Sequence, residues 1–449
     1  MRNILVLNWF PKGQAMRQAV YQHQHALDNG NDTVVYHNAM DPAPAWLRAL
    51  PWDAVILHTV FLCARWVDEF PLFRRRFAWI GDLDCVKIAI PQDEYDHSEV
   101  LDDWLSELGV TYVLSCFGAE QRALLYPKTS RVAEFREVLT GYIDRPTAEA
   151  HRPRILPMGE RPYDIVYRAL KLPYWFGSHG ALKHEIGVAV AAAAQERGLA
   201  TDISTRWEDT IFTAWLDFLG SGRTVIGVES GSSVLDRRGE IKAQIAALEA
   251  ERPGAPFADV DARLPPGWDA YEFFAISPRH LEAVITKTCQ VLIEGSYSGV
   301  LDAGRHFIPL RRDLSNLPEV LDRIADHDAL EAMAQTAFEE IYLPGAYDLE
   351  QFAEGLRALI PKRSRVALPQ GAVQQADTLA GEARDAAAQA AVRVAATTIG
   401  AARRARAAPR VRPRLRRVDA SSIRLPVPAP RLPTIRLADT AVRRARISG

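Results

Sequence analysis

Polar and charged side chains at positions 277–299 lie in a stretch that combines a helix start, a short helix, a buried strand and a polar Gly/Ser loop. Ser277 is placed to cap a helix whose first residue is Pro278, because proline loses no hydrogen bond at that position. Glu282 lies in this helix, and the continuous apolar run at 291–293 is typical of a buried parallel strand. Ligands of open α/β sheets bind at the carboxyl ends of the strands, so this helix and strand are predicted to border one crevice.

The same stretch resembles the nucleotide-sugar half of the GT-B glycosyltransferases, in particular those of the group 1 type. The similarity rests on the Arg-x-x-Glu-Ala pattern that starts at Arg279, and it continues in the runs 306–310 (His-Phe-Ile-Pro-Leu) and 313–316 (Asp-Leu-Ser-Asn). In that family the glutamate of the Glu-Ala pair holds the ribose hydroxyls of the nucleotide, and the resemblance assigns this role to Glu282. Taken alone, a helical glutamate one turn from an arginine is more commonly a surface ion pair of little energetic value.

Length and composition allow two folded domains with additional segments. The 449 residues include 48% hydrophobic and 24% charged residues, which is enough for a sizeable core. No apolar run reaches the roughly 18 residues that a membrane span requires, and the first residues are predicted to form a strand and not a signal peptide. The four cysteines are widely spaced and show no metal-binding pattern, which indicates reduced thiols in a cytosolic protein. They are Cys63, Cys85, Cys116 and Cys289.

Charge is distributed unevenly along the chain. The net charge is −2, but residues 401–449 contain 14 Arg, no Lys and two Asp, so residues 1–400 carry −14. The alanine-rich segment 361–408 is predicted to form a helix, and the Arg/Pro-rich segment 409–449 is predicted to be disordered. We expect this basic tail to attach a cytoplasmic protein peripherally to the inner face of an anionic membrane, with an inert solubilising tail as the alternative.

Short β-rich runs alternate with helical segments in the first part of the chain, which is typical of a parallel sheet in a Rossmann-like domain. Lys12, in the loop after the first run, and His58, at the end of the third, are predicted to face an acceptor. Asp93 and Glu94 follow the end of another run, where polar side chains are well placed for catalysis, and they are predicted catalytic residues. The runs cover residues 3–7, 33–36, 54–58, 86–90 and 111–116.

A second series of strands and helices follows a segment rich in proline and charge, which we interpret as an interdomain linker. Arg168 ends its first strand, and a loop with two glycines leads from there into a helix that is predicted to open near residue 181 and contains Lys183. A helix N-terminus with nearby cations can hold a diphosphate, and this loop resembles the GT-B loop in which an Arg and a Lys do so. His184 departs from the family pattern, which has Gly after the Lys. After a later strand, the small residues Ser230, Gly231 and Ser232 leave room for a donor.

The sequence therefore predicts an α/β protein of GT-B architecture, in which two Rossmann-like domains face each other across a cleft. A helical and disordered basic extension follows them. The predicted units are an N-terminal acceptor-side domain (1–145), a linker (146–162), a C-terminal nucleotide-sugar-binding domain (163–345), a helix that crosses back to the N-terminal domain (346–360), and the two tail segments.

The predicted activity is the transfer of a hexose-type sugar from a nucleoside diphosphate sugar, such as a UDP-sugar, to a saccharide, lipid-linked or protein acceptor. Such a step belongs to polysaccharide or glycoconjugate synthesis. The resemblance implies retention of the anomeric configuration, and neither a metal nor another cofactor is expected. The predicted donor-binding roles are Glu282 for the ribose, Arg168 and Lys183 for the diphosphate, and Arg279 for phosphate or for orienting Glu282. Glu294 is a predicted catalytic residue on the sugar side together with Ser296, and Tyr297 is predicted to bind the donor.

Two other functions remain open at the level of sequence. A nucleotide-sugar epimerase can share the same fold, and fold alone does not separate the two enzyme classes. The basic tail also permits a non-catalytic protein that binds nucleic acid or membrane, but the acidic body of the chain disfavours nucleic acid.

Overall fold

The computed structural model describes residues 1–11, 16–211 and 213–361. These residues fall within one compact unit, Met1–Ala367. Lys12 lies outside the described residues, and so do the predicted alanine-rich helix and the predicted disordered tail from residue 362 onward.

The first part of the chain forms a six-stranded parallel sheet. Its strands are β1 (Asn3–Asn8), β2 (Thr33–Asn38), β3 (Ala54–Leu57), β4 (Val86–Ala89), β5 (Tyr112–Ser115) and β6 (Glu134–Glu137). They are ordered β2-β1-β3-β4-β5-β6, and all neighbouring pairs are parallel. The central strands are buried on both faces, as continuous apolar runs such as Ile4–Leu7 require.

Short helices connect these strands and cover the two faces of the sheet. They are α1 (Gln18–Gln24), α2 (Ala45–Ala49), α3 (Thr59–Leu62), α4 (Phe70–Arg76), α5 (Ser98–Glu107), α6 (Ala119–Leu125) and α7 (Arg145–His151). The last of these, α7, begins one residue before the predicted linker, 146–162, and otherwise lies within it. Arg161, near the end of that linker, is buried, and its guanidinium donates hydrogen bonds to Gly222, Thr286 and Thr288 of the second domain.

A five-stranded parallel sheet forms the second domain. Its strands are β7 (Tyr163–Arg168), β8 (Thr201–Ser204), β9 (Gly222–Gly227), β12 (Cys289–Ile293) and β13 (Phe307–Leu310), in the order β13-β12-β9-β7-β8. Two short antiparallel strands, β10 (Ser230–Ser232) and β11 (Phe273–Ala275), pair outside this sheet.

Eight helices belong to the described part of the chain after β7. They are α8 (Gly177–Glu196), α9 (Trp215–Gly220), α10 (Glu240–Glu251), α11 (Phe257–Asp261), α12 (Pro278–Ile285), α13 (Leu317–Ile324), α14 (His327–Ala337) and α15 (Leu349–Leu359). The helix predicted near residue 181 begins earlier, at Gly177, whose φ of +70° suits a residue without a Cβ.

Helix α12 begins as its sequence predicts. The hydroxyl of Ser277 accepts a hydrogen bond from the backbone N–H of Arg279 at 3.2 Å, and Pro278 occupies the first turn. The ring of His280 completes the cap, because its Nδ1 accepts the backbone N–H of Ser277 at 3.0 Å. The start of this helix is therefore fixed by short-range interactions.

Helix α15 returns from the second domain and packs on the first. Its residues Phe352, Ala353 and Leu356 share a buried cluster with Ile4 and Val6 of β1. Burial of this apolar face holds the end of the described chain against the first sheet.

The segment between β10 and β11 forms a small unit with a core of its own, built around Val234, Ile245 and Trp268. This unit also contacts the first domain, away from α15. The backbone N–H of Asp236 donates to the carbonyl of Tyr95 at 2.9 Å, and the N–H of Ser98 donates to the carbonyl of Asp236 at 3.1 Å. We call this contact between residues 95–99 and 236–242 the lateral junction.

Candidate active site in the interdomain cleft

A cavity of about 470 Å³ lies between the two domains. One wall comes from α1 and from the loops that follow β3, β4 and β5. The other comes from the end of β7, from α8, and from β10 and α12. The carboxyl ends of both parallel sheets thus face a single cleft, and the last helix crosses back to the first domain. The chain has the GT-B fold.

Eight of the predicted site residues line this cavity, and they come from both domains. Asp93 and His58 lie on the wall of the first domain, and the others lie on the opposite wall. The eight residues are His58, Asp93, Arg168, Lys183, Ser230, Gly231, Arg279 and Glu282.

Lys183 extends from α8 into the cleft. Its ammonium forms no hydrogen bond or ion pair with any described residue. Burial lowers the pKa of Lys183 to about 8, the charge of Arg279 acts in the same direction, and the charge of Asp93 opposes both. The side chain therefore offers an unpaired cation to a ligand in the cleft, and an anion would restore its pKa.

Arg279 and Glu282 are half-buried and lie on the side of α12 that lines the cavity. Trp215, the first residue of α9, lies next to them. The guanidinium of Arg279 donates to the carbonyl of Arg168 at 2.6 Å and lies over the indole of Trp215, 5.1 Å from the ring centroid. The indole N–H of Trp215 donates to Glu282 Oε2 at 2.7 Å. Burial raises the pKa of Glu282, while Trp215, Arg279 and Arg17 act against this rise. One carboxylate oxygen of Glu282 is left for a ligand.

Trp215 and Arg17 line the cleft but are not among the residues predicted from sequence. Trp215 makes contacts with α12 that are distant in sequence, and Arg17 lies across the cleft in the first domain. No local motif marks either residue. A tryptophan at the start of a short helix is the only sequence signal, and it is equally typical of a core position.

Arg168 is less available than predicted. It forms an ion pair with Asp202 and donates to the backbone carbonyls of Tyr167, Asp202 and Asp209. Its guanidinium also lies over the ring of Phe218, at 4.5 Å. These contacts use four of the five N–H groups of Arg168. Its main contribution to the cleft wall is therefore its backbone carbonyl, which accepts a hydrogen bond from Arg279.

Asp93 and Glu94 are neighbours in sequence but point to different environments. Asp93 adopts a φ of +49° and is exposed on the cleft wall, where its Oδ1 accepts the hydroxyl of Tyr95 at 2.7 Å. Glu94 is fully buried beneath the loop and does not line the cavity. The prediction of a catalytic Glu94 is corrected accordingly.

The carboxylate of Glu94 has a structural role. It accepts hydrogen bonds from Ser115 Oγ at 2.7 Å, from the backbone N–H of Cys116 at 2.9 Å, and from the hydroxyl of Tyr126. Burial raises the pKa of Glu94 to about 7, and these three donors oppose the rise. The side chain ties the loop after β4 to β5, away from any ligand in the cleft.

His58 borders the cavity but has no free ring nitrogen. Its Nδ1 accepts the backbone N–H of Val60 at 3.3 Å, so its proton is on Nε2, which donates to Nδ1 of His23 at 3.0 Å. Burial lowers the pKa of His58 well below its usual value and that of His23 to about 4. Both rings are neutral at physiological pH, and a direct contact between an acceptor and a nitrogen of His58 would require this chain of bonds to change.

Four residues predicted to contact the donor or to act in catalysis lie away from the cavity. Ser232 is buried, and its hydroxyl donates to the carbonyl of Phe176 at 3.1 Å. Tyr297 is fully buried, and its hydroxyl donates to the carbonyl of Ile293 at 2.6 Å. Glu294 and Ser296 are exposed beyond the end of β12 and do not line the cavity.

The loop that carries Glu294, Ser296 and Tyr297 is bound by Glu229, which follows β9. The carboxylate of Glu229 accepts the backbone N–H of Tyr297 at 2.7 Å and the hydroxyl of Ser296 at 3.2 Å. These bonds hold the loop next to the end of β9. The predicted contact of these three residues with the donor is therefore corrected.

The structure also bears on metals and membranes within residues 1–11, 16–211 and 213–361. No group of three or more His, Cys, Asp or Glu side chains in these ranges is arranged to hold a metal ion. None of the four cysteines, all of which lie in these ranges, belongs to a disulfide. No helix in the same ranges is long and apolar enough to cross a membrane.

No family model and no curated protein sequence matches the chain. Among solved structures, it is similar to HepE of Anabaena in complex with UDP-glucose, at 10% identity over 80% of this chain and 99% of that chain, with a TM-score of 0.44. It is also similar to sucrose-phosphate synthase of Thermosynechococcus elongatus, at 12% identity over 80% of this chain and 98% of that chain, with a TM-score of 0.44. An alpha1,3-fucosyltransferase has 10% identity over 82% of this chain and 92% of that chain, with a TM-score of 0.42. Since these TM-scores are below 0.5, the fold is assigned from the strand order and the cleft of this chain itself.

Proposed function

We propose that this protein is a glycosyltransferase that moves a hexose-type sugar from a nucleoside diphosphate sugar to an acceptor hydroxyl. The observation that carries the proposal is the unpaired ammonium of Lys183, which lies beside Arg279 in a cleft between two Rossmann-like domains. A cation held without a partner in such a cleft is suited to an anionic ligand whose charge increases during the reaction.

The donor would lie along the wall of the second domain. Glu282 would accept hydrogen bonds from the ribose hydroxyls with the oxygen that Trp215 leaves free, and Lys183 and Arg279 would bind the diphosphate. The small residues Ser230 and Gly231 leave space near the sugar. Arg168 would support Arg279 through its carbonyl and would not itself bind phosphate.

The acceptor would approach from the wall of the first domain, where Asp93 is exposed. In the transfer, the bond between the anomeric carbon and the diphosphate oxygen breaks, and its electron pair stays on the diphosphate. The acceptor oxygen forms the new bond to that carbon. With retention, which the family resemblance implies and which is part of this proposal, the hydroxyl proton passes to the departing diphosphate. With inversion it would pass to Asp93, and NMR of the product anomer distinguishes the two.

Incubation of the full-length protein with a panel of UDP-, GDP- and TDP-sugars and saccharide acceptors tests the proposal. Release of the nucleoside diphosphate together with a heavier acceptor is the expected result. An unchanged amount of sugar nucleotide with an altered sugar would indicate an epimerase, and an absence of turnover with every donor would contradict an enzyme of either kind.

A pair of lysine variants makes this test specific to the cleft. Lys183→Ala should reduce transfer at least tenfold, because the diphosphate loses a cation where its charge develops. Lys171→Ala is the matched control, since Lys171 is exposed and does not line the cavity. Equal activity of the two variants would show that Lys183 does not bind the donor.

We further propose that the protein acts in the cytoplasm, in the synthesis of a polysaccharide or glycoconjugate, without a metal ion. The cations of the cleft can neutralise the diphosphate, which is the charge that a metal would otherwise balance. Transfer measured with and without EDTA tests this part, and loss of activity with EDTA that Mg²⁺ restores would contradict it.

A further inference from the structure

Arg65 lies outside the cavity walls, in the short 3₁₀ helix that follows α3, and only 2% of its surface is exposed. Among the described residues, its guanidinium forms no ion pair with a carboxylate. It donates instead to four main-chain carbonyls. These are the carbonyls of Leu62 at 3.0 Å, Gln92 at 3.1 Å, Asp93 at 2.8 Å and Asp96 at 3.0 Å.

Three of these four carbonyls belong to the loop 92–96 that follows β4. A buried carbonyl without a donor is unfavourable, and the loop lies outside the named strands, where an isolated bridge joins Asp96 to Asp236. The Asp93 carbonyl also accepts the N–H of Asp96 at 3.0 Å, and the Asp96 carbonyl also accepts the indole N–H of Trp66 at 3.4 Å. The planar guanidinium of Arg65 reaches three carbonyls of the loop at once, whereas the ammonium of a lysine cannot present its donors in the same plane. Arg65 is therefore the side chain that ties these three carbonyls together.

The loop carries Asp93 in a strained conformation. Its φ of +49° is in the left-handed region, which a residue with a Cβ adopts only when its surroundings hold it there. The hydrogen bond from Arg65 to the Asp93 carbonyl and the bond from the Tyr95 hydroxyl to Asp93 Oδ1 fix its main chain and its side chain. Asp93 lines the cleft, and the charge of its carboxylate acts on the pKa of Lys183.

The end of the same loop is held from the second domain. The carbonyl of Tyr95 accepts the backbone N–H of Asp236 at 2.9 Å, and the ring of Tyr95 stacks on Phe273 with centroids 5.9 Å apart. Arg65 thus holds the loop from within the first domain, while the lateral junction holds its end against the second. Asp93 therefore lies in a loop that is held by contacts from both domains.

We propose that Arg65 is a positioning residue, which holds loop 92–96 so that the carboxylate of Asp93 orients the acceptor hydroxyl toward the donor. This inference rests on the proposed glycosyl transfer. Arg65 itself touches neither substrate, and it acts through the main chain of the loop.

A double-mutant cycle on the full-length protein tests the inference, using Arg65→Lys, Asp93→Asn and the double variant. Each single variant should lower kcat about 100-fold, because a shift of about 1 Å in an orienting group has that effect. In Arg65→Lys, the KM for the donor should change less than about twofold, because this variant keeps the charge of Asp93 that acts on Lys183. The double variant should be no worse than Asp93→Asn alone. If the losses of kcat in the two single variants multiply in the double variant, Arg65 does not act through Asp93. A rise in donor KM in Arg65→Lys as large as its fall in kcat would show the same.

Arg48→Lys is the matched control. The guanidinium of Arg65 lies over the indole of Trp66, 4.3 Å from the ring centroid, and that of Arg48 lies over the indole of Trp79, but Arg48 is exposed and belongs to α2. It should keep the kcat of the parent protein. Guanidinium ion added to Arg65→Ala should restore part of its kcat, and a folded variant that guanidinium does not rescue would contradict the inference.

Hydrogen exchange separates a failure of the inference from a failure of the proposed function. In Arg65→Lys, the amides of residues 92–96 should exchange faster than in Arg48→Lys, while those of 163–168 should not change. This measurement needs no turnover. Unchanged exchange at 92–96 would overturn the positioning role even in an active enzyme. Absence of transfer by the parent protein with every donor would overturn the proposed function instead.

Discussion

Lys183 is the residue whose charge state most directly controls the proposed donor site. Its pKa is lowered from 10.5 to about 8 by burial and by Arg279, so the ammonium of the empty cleft loses its proton as pH rises through about 8. The affinity for a nucleoside diphosphate should therefore fall about fourfold between pH 7 and 8.5, a range in which the terminal phosphate is already ionised. Isothermal titration calorimetry with UDP and GDP from pH 7 to 8.5 would measure it, because the bases also keep their protons in this range.

Two comparisons make this pH dependence specific. The affinity for uridine or guanosine, which lack the diphosphate, should stay constant over the same range. In Lys183→Arg the decline in affinity for the nucleoside diphosphate should disappear, because a guanidinium stays charged. A decline that persists in this variant would assign the titration to another group.

Glu282 is proposed to accept hydrogen bonds from the ribose hydroxyls, and this role can be tested separately from the diphosphate site. If its free carboxylate oxygen binds the ribose, Glu282→Ala should weaken nucleotide binding by about 1.5–3 kcal/mol, which is roughly 10- to 100-fold. Calorimetry with ribonucleotides and 2′-deoxyribonucleotides would measure the effect, and the variant should discriminate less between them. Glu294→Ala is the control, because Glu294 is exposed and lies off the cavity. An equal loss in both variants, or none in Glu282→Ala, would contradict the ribose role.

At the scale of the element, helix α12 connects the local sequence to the site. Its first turn carries Arg279 and its second carries Glu282, so the direction in which the helix starts decides where both side chains lie. The cap made by Ser277 and His280 is buried and uses no solvent to complete it. Stability and ligand binding are therefore coupled in this helix.

The cap leads to a prediction about stability. Ser277→Ala removes the acceptor of the Arg279 N–H, and should lower the free energy of unfolding by about 1 kcal/mol. Chemical denaturation of the full-length protein would measure the loss. Ser277→Thr keeps a hydroxyl at the cap, so most of the stability should return. If alanine and threonine are equally destabilising, the loss comes from packing and not from the cap.

At the scale of the whole molecule, the lateral junction joins the two domains in addition to the chain connections between them. Helix α15 packs on the first sheet, and the unit between β10 and β11 contacts the first domain at the lateral junction. There, the ammonium of Lys242 lies 3.3 Å from a carboxylate oxygen of Asp96 and contacts the rings of Trp66 and Trp175, with centroids at 5.9 and 5.2 Å. The lateral junction is therefore held by non-covalent contacts alone.

The lateral junction should depend on this cation. Lys242→Met keeps much of the aliphatic stem but removes the charge, so the amides that cross the junction should exchange faster by hydrogen exchange mass spectrometry, by about three- to tenfold. The relevant amides are those of Ser98, Glu99 and Asp236.

Lys128→Met is a suitable control for this prediction. Lys128 also pairs with an aspartate, Asp103, but within the first domain and on its surface. It should leave exchange at the junction unchanged. Equal exchange in the two variants would show that the backbone bonds hold the junction without Lys242.

Local sequence was sufficient for several features of this protein. The strands β1, β3 and β12 are short, largely apolar runs that are buried along their whole length, and the start of α12 depends on residues within one turn of Ser277. Two Rossmann-like α/β domains could be predicted because these signals have short range and repeat in order along the chain. The GT-B architecture was implied by the family resemblance that starts at Arg279. The role of the basic tail stays a prediction, since it lies outside the described residues.

The tertiary structure decided which of the candidate side chains share the cleft. Asp93 and Glu94 are adjacent acidic residues after β4, and the sequence does not distinguish them. In the structure, Asp93 has a positive φ and accepts a hydrogen bond from Arg65 through its carbonyl, and its side chain is exposed while that of Glu94 is buried. Trp215 meets Glu282 across 67 positions of the chain, a contact that no local pattern encodes. Spacing in sequence determines which face of an element a side chain occupies, whereas the packing of distant elements determines what that face meets.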